Sequence, residues 1–267
     1  MSDARSVPIV FAPVARAAVS EDIYRQLRDA ILSGALAAGA ALSGERVLAE
    51  QFAVNRHAVR EAMRRLEQSR LVEVSHGGST RVLDWRTHAG LELLSELSAT
   101  GDLAALAMLR SVVEMRLAVG VDAARRAAQR ISDPAGDELL THVERIRAQS
   151  PAPDLVALGE SYDQLWRLIV AATDNIAYQL ADNTLVEALH RFPELALRVS
   201  APEITDLDQQ HQLVLAIAAH DDEVAAEIAH DLLQRMVVES DRVVARAGAG
   251  AAPVEAAPAA SSLESPR

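Results

Sequence analysis

Between residues 20 and 83 the apolar positions change period three times. Ile23, Leu27, Ala30 and Ile31 recur at helical spacing behind Ser20, a helix N-cap type, with Glu21 and Asp22 in the first turn; Gly34 then ends the run. Residues 35–43 read as a loop containing Gly39. Gly44-Glu45 opens a second short helix with Val47, Leu48 and Phe52 inward. Asn55 caps a third, whose stripe is Ala58, Val59, Ala62, Met63 and Leu66. Two alternating runs, 71–75 and 79–83, flank His76-Gly77-Gly78 and read as a β-hairpin. Three helices followed by a hairpin outline a winged helix-turn-helix over 17–84. From Trp85 onward every periodic stretch is helical: 86–99, the first of them and a linker helix within 85–100, then 102–130, 135–148, 153–173, 175–191, 203–219 and 221–246. Breaks fall at Gly101, Asp133-Pro134, Pro151/Pro153, Asp174, Pro193 and Pro202. The fold class expected is therefore mainly α: a winged helix-turn-helix, then an all-α ligand-binding helical bundle over 101–247. Residues 1–16, with two Pro and no periodic pattern, read as a flexible tail, and the Ala/Pro/Ser-rich 248–267 as one that cannot bury enough to fold.

Composition narrows the function. Half of the 267 residues are apolar, yet no run approaches the ~18 needed to span a membrane, and no basic segment precedes an apolar one at the start. With no Cys, the chain has no disulfide, thiolate zinc site, iron–sulfur cluster or thiol nucleophile, and a cytoplasmic protein is expected. All 26 basic residues are Arg, which excludes every mechanism that needs a lysine. Aromatics are 3 %, and the abundance of Ala, Leu, Glu and Arg favours helices.

Net charge is −12, which disfavours nucleic acid until its distribution is considered. Residues 17–86 hold ten Arg against nine acids, whereas 87–267 hold fourteen against twenty-eight; residues 55–70 alone carry five Arg and two Glu. Arg56, Arg60 and Arg64 stand at i, i+4 and i+8 on one helix face, opposite the apolar stripe. A guanidinium can bridge guanine O6 and N7 or clamp a phosphate, and Asn55 and His57 lie at the helix end that enters a major groove. Arg46 begins the helix that crosses the backbone in such motifs. At the hairpin tip His76 and Gly77-Gly78 leave room for a groove, and Arg81 follows on the strand. A solvated arginine face on an ordinary helix is the plain alternative; the surrounding helix-turn-helix and hairpin favour DNA.

These residues resemble the DNA-binding domain of the GntR family of bacterial transcription regulators. The match runs Ile31-Leu32-x-Gly34-x-Leu36-x-x-Gly39, Leu42-x-x-Glu45-Arg46-x-Leu48-Ala49 and Val54-Asn55-Arg56-x-x-Val59-Arg60-Glu61-Ala62-Met63-x-x-Leu66. Ala38 and Ser43 stand where the family usually has Pro. The resemblance implies that Arg46, Arg56 and Arg60 touch operator DNA and that the wing enters the minor groove. It also implies a homodimer on a palindromic double-stranded operator.

The helical remainder resembles the FadR subfamily, many of whose members hold a divalent metal through Asp and His at i, i+4 and two later His. Here Asp163 fits, but Arg167 replaces the His, Gln210 occupies the next ligand position with His211 one residue late, and His230 falls about two residues early. No metal and no cofactor are expected. Asp163-x-x-Trp166-Arg167, then Ala-Ala-Thr-Asp174-Asn175, resembles instead the subfamily's fatty-acid regulator, which uses no metal and binds long-chain acyl-CoA. The wing and the linker helix also match it, and Arg110 falls at the Arg of its inducer helix. The resemblance implies an acyl-CoA effector held by some of Arg110, Asp163, Trp166, Arg167, Tyr178 and His211. Buried Arg110 and Arg167 would need anionic partners, and Asp163 could supply one to Arg167. A structural ion pair is the alternative for each. The expected function is thus a ligand-responsive regulator of fatty-acid metabolism, not an enzyme; a regulator sensing a small carboxylate such as lactate or a sugar acid stands beside it. An enzyme with an accessory DNA-binding domain lacks a nucleophile elbow, a phosphate loop and a His-x-x-x-His pair. A constitutive architectural DNA binder leaves the acidic helical domain unexplained.

Overall fold

The computed structural model describes residues 17–74, 79–96, 102–148 and 154–250, in two compact units, 1–100 and 101–267. In the first, α1 (Ala17–Leu32), α2 (Glu45–Gln51) and α3 (Arg56–Gln68) enclose Ile23, Tyr24, Leu27, Val59, Ala62, Met63 and Leu66. Helix α1 begins at Ala17, so Ser20 lies inside it rather than capping it; Ala17-Ala18 are strong helix formers and carry the turn upstream. Gly34 and Gly39 have φ of +81° and +83°, which lets the chain turn sharply out of α1.

The expected hairpin is present as β2 (Val72–Val74) and β3 (Thr80–Val82), in register Val72 opposite Val82. The expected loop 35–43 is not wholly a loop. Ala41–Leu42 forms β1, antiparallel to β3, and the Gly39 N–H donates to the Val82 carbonyl at 2.8 Å. A two-residue strand whose partner lies forty positions away leaves no alternation in the sequence to detect.

The single linker helix expected over 86–99 is also corrected. The structure has α4 (Trp85–His88), a break at Gly90, and a 3-10 turn over Leu91–Ser95. Asp84 caps α4 by accepting from the Arg86 N–H at 3.1 Å. Leu93, with Trp85 and Ala89, packs on the core of the first unit, so tertiary burial wins over helical continuity across a glycine.

The second unit is helical among its described residues: α5 (Asp102–Arg130), α6 (Asp133–Ala148), α7 (Leu155–Ala172), α8 (Ile176–His190), α9 (Pro193–Ile204), α10 (Leu207–Ala218) and α11 (Asp222–Gly250). Long helices α5 and α11 form its spine. Ala123, Ala124, Ala127 and Ala128 of α5 are fully buried, small side chains that let neighbouring helices approach closely. Helix α9 was not expected, because Pro193 and Pro202 read as breaks. Pro193 instead opens the helix, where its fixed φ suits the first turn, and Pro202 sits two residues from its end. The expected 203–219 helix therefore splits: Asp206 caps α10 by accepting from the Gln209 N–H at 2.9 Å. Helix α11 runs to Gly250, past the expected end at 246 and into the stretch read as a tail. The other tail, 1–16, lies outside the described residues. Among the described residues, no helix is long and apolar enough to cross a membrane.

Candidate functional site

Helix α3 is set up as an exposed cationic face on a buried base. Asn55 Oδ1 accepts from the Ala58 N–H at 2.9 Å and closes the N-terminus, while Ala58, Val59, Ala62, Met63 and Leu66 anchor the opposite side. Arg56, His57, Arg60 and Arg64 are all exposed. Their charge partners are loose: Arg60 Nε stands 3.4 Å from Glu45, and Arg64 3.5 Å from Glu61. Arg46 pairs with Glu50 at 2.7 Å, also on the surface. Exposed pairs of this kind contribute ~0–1 kcal/mol, so a phosphate or a base edge can displace them. Arg65, in the same basic run, does something else: it stacks 4.1 Å above the Tyr24 ring and pairs with Glu21, tying α3 to α1. Arg81 is exposed on β3, one amino group 3.2 Å from the Gly39 carbonyl. His76 and Gly77 lie outside the described residues.

In the helical unit the structure redistributes the expected effector residues. Arg110 and Arg167 are not buried. Arg110 is half-exposed and pairs with Asp241 at 2.7 Å and Glu114 at 3.3 Å, and Arg167 faces outward from α7. Asp163 bonds His190 Nε2 at 2.9 Å rather than Arg167. The reason is geometric: the inward stripe of α7 is Leu158, Tyr162, Leu165, Trp166 and Ile169, and Arg167 falls off it. The Tyr178 hydroxyl donates to Asp122, itself 2.7 Å from Arg126, so Tyr178 braces α8 against α5. The Asp122 carboxyl is held below the usual range, chiefly by that tyrosine bond. Trp166 is buried edge-on to Tyr162, ring centres 6.3 Å apart. His211 is half-buried on α10, and His230 is exposed beside Asp231. Gln210 is fully buried, its amide donating at 2.9 Å to the carbonyls of Glu203 and Ile204. Among the described residues, no three His, Asp or Glu side chains converge as a metal site would require.

What the structure brings together instead is a cavity of about 250 Å3 among α5, α7, α8, α9 and α11. Its apolar wall includes Leu189, Leu197, Ile204 and Met236; its polar residues include Arg116, Tyr162, Asp163, His190 and Glu203. Of the expected effector residues only Asp163 lines it. The centre is a buried ion pair, Arg116 to Glu203 Oε1 at 2.8 Å, with the guanidinium 5.5 Å from the ring centres of both Tyr162 and Trp166. Burial pushes the Glu203 carboxyl up to about 7, against the opposing pull of Arg116. Burial is the largest single influence on Arg116 and would lower it, but Glu203, Tyr162 and Asp182 together outweigh it and keep the guanidinium charged. Burial likewise raises the Tyr162 hydroxyl and the Asp182 carboxyl, the latter countered by Arg116. Three buried polar atoms here have no hydrogen-bond partner: Tyr162 Oη, Trp166 Nε1 and Glu203 Oε2.

Arg116 and Glu203 were not singled out from the sequence, although a signal existed. Arg116 falls on the α5 stripe of Leu109, Val112, Val113 and Ala123, and Glu203 on the α9 stripe of Ala196, Val199 and Ile204. A charge on an apolar stripe must be paired or put to use.

Residues 19–82 match the model of the bacterial regulatory proteins of the gntR family, and residues 111–235 match the FCD domain. The chain is 34 % identical to the HTH-type transcriptional regulator Mce2R of Mycobacterium tuberculosis, over 83 % of this chain and 91 % of that protein. It is 27 % identical to the HTH-type transcriptional repressor NanR of Klebsiella aerogenes, over 78 % of this chain and 76 % of that one. A GntR family member from Pseudomonas syringae of known structure shares 22 % identity, with a TM-score of 0.45, over 89 % of this chain and 90 % of its own.

Proposed function

The chain belongs to the GntR family of bacterial regulatory proteins, a DNA-binding transcription regulator with an FCD domain behind its winged helix, and from that premise we propose that it is a homodimer held on a palindromic operator until an organic effector fills the cavity around Arg116. The observation that carries the effector half is the cavity itself: a buried ion pair and unpartnered polar atoms inside an otherwise apolar wall. Natural cores leave few such atoms, and those that remain call for an explanation. Helix α3 supports the DNA half, through Arg56, Arg60 and Arg64 on one exposed face and Arg46 on α2. A single helix-turn-helix per chain reads only a half-site, which is the reason for a dimer.

Long-chain acyl-CoA is the effector reading carried from the sequence, and the apolar wall supports it. A small carboxylate is favoured by size, since about 250 Å3 admits roughly eight non-hydrogen atoms at ~30 Å3 each. Arg110 and Arg167, the expected contacts to a CoA phosphate, also stand outside the lining. The proposal includes no metal and no cofactor. Selection from a random duplex library, followed by gel-shift titration, tests the DNA half; an unselective or inverted-repeat-free result would overturn it. Palmitoyl-CoA, free CoA, lactate and gluconate added to the selected complex separate the effector readings. Release by palmitoyl-CoA alone at micromolar concentration supports the acyl-CoA reading, and release by a short acid alone supports the other.

A further inference from the structure

Building on the reading that this cavity holds the effector, we infer that the group it recognises is a hydroxyl: an uncharged hydrogen-bond donor and acceptor on a small, mainly apolar molecule, placed against Glu203 Oε2 and Tyr162 Oη. The demand is set by the two unpartnered atoms that belong to lining residues, Trp166 Nε1 lying behind the lining. Glu203 spends one carboxylate oxygen on Arg116 at 2.8 Å, while the other is buried and accepts nothing. The Tyr162 hydroxyl is buried and makes no hydrogen bond of good geometry, although Arg116 and the Trp166 N–H stand close enough to pull on it. Both residues line the cavity, and Arg116 links them, bonded to one and stacked near the ring of the other. In the ionised form that pairs with Arg116, Glu203 Oε2 requires a donor, and Tyr162 Oη can donate or accept a hydrogen bond. A hydroxyl satisfies both, whereas an ether oxygen can only accept.

Charge argues against a carboxylate in the same place. Arg116 is already neutralised by Glu203, and Asp163 and Asp182 stand near, with His190 bonded to Asp163. A further anion would enter a site whose acids already outnumber its guanidinium, and among the lining residues the one unpartnered donor is Tyr162. An effector that carries both groups, as a hydroxy acid does, would therefore turn its hydroxyl inward. Along the rest of the cavity Leu189, Leu197, Ile204 and Met236 offer only apolar surface, which suits a short alkyl remainder.

Calorimetric titration of the full chain with hexan-1-ol, 1-methoxypentane and hexanoate tests this. The expected order is hexan-1-ol tightest, with the ether and the acid each weaker by roughly ten-fold or more, since each leaves a buried polar atom unpaired. Tyr162→Phe should weaken hexan-1-ol several-fold with little change in Tm, because the hydroxyl it removes makes no well-formed hydrogen bond in the unliganded fold. Equal binding of alcohol and ether, tighter binding of hexanoate, no binding of hexan-1-ol, or unchanged affinity in Tyr162→Phe would each overturn the inference. Operator selection is read separately: a chain that selects an inverted repeat yet fails these titrations retains its place as a regulator and loses only the hydroxyl.

Discussion

Arg116 on α5 and Glu203 on α9 stand 87 residues apart in the chain and 2.8 Å apart in the fold, both almost wholly removed from water. Removing two charges from water costs several kcal/mol each, and the pair recovers that only through close geometry. Here the geometry is half complete, since Arg116 bonds one carboxylate oxygen and leaves the other idle. A core built for stability alone would place apolar side chains at both positions. On the proposed function, the pair is the part of the helical unit's interior that a bound effector would complete.

Arg116→Met should destabilise the helical unit by about 3–5 kcal/mol, because it strands a buried carboxylate. Adding Glu203→Leu should restore most of that loss. Urea unfolding followed by Trp166 fluorescence in a Trp85→Phe background reads the helical unit alone. A double variant no more stable than Arg116→Met would refute the pairing argument.

Glu203 also makes stability depend on pH. Its folded carboxyl titrates at about 7 against 4.5 for the unpaired group, so between these values the folded chain binds more protons than the unfolded one. Stability from this group is full below about pH 4.5 and declines as pH rises through about 7. Unfolding midpoints of the wild type and Glu203→Gln across pH 5 to 8 check the sign. The wild type should lose stability relative to the variant as pH rises, and an opposite slope would contradict the burial-driven shift.

On α3, Arg56→Ala and Arg60→Ala should each weaken specific operator binding by about 1–3 kcal/mol if each makes a bidentate base contact. Arg65→Ala should act differently, lowering Tm through the lost Tyr24 stack and Glu21 pair. Gel shifts beside melting curves separate the two classes. Wild-type affinity in both Arg56→Ala and Arg60→Ala would remove α3 from the DNA contact.

Gly120 sits where α5 meets α7 and α11. A Cβ there would lie 2.5 Å from Leu233 Cδ1 and 3.3 Å from the Trp166 ring. Overpacking of that kind costs ~1–3 kcal/mol, against the ~1 kcal/mol that Ala gains over Gly in a helix. Gly120→Ala should therefore lower Tm, and a rise would mean that Leu233 moves aside without strain.

Local interactions made much of this protein legible in its sequence. The stripe Ala58, Val59, Ala62, Met63 and Leu66 dictates which side of α3 is buried, and so exposes Arg56, Arg60 and Arg64. The cap at Asn55 and the extent of α5, Asp102–Arg130, follow from neighbours a few residues away. Strand β1 and helix α9 did not, because one is held by a distant partner and the other begins and nearly ends on prolines that tertiary packing tolerates. The expected effector residues show the difference most sharply. The apolar stripes already turn Arg116 of α5 inward and Arg167 of α7 outward, but nothing along the chain says that Glu203, 87 residues on, meets Arg116 and leaves a cavity beside it. That meeting is a sum over contacts among α5, α7, α9 and α11, separate helices that no window of sequence contains together.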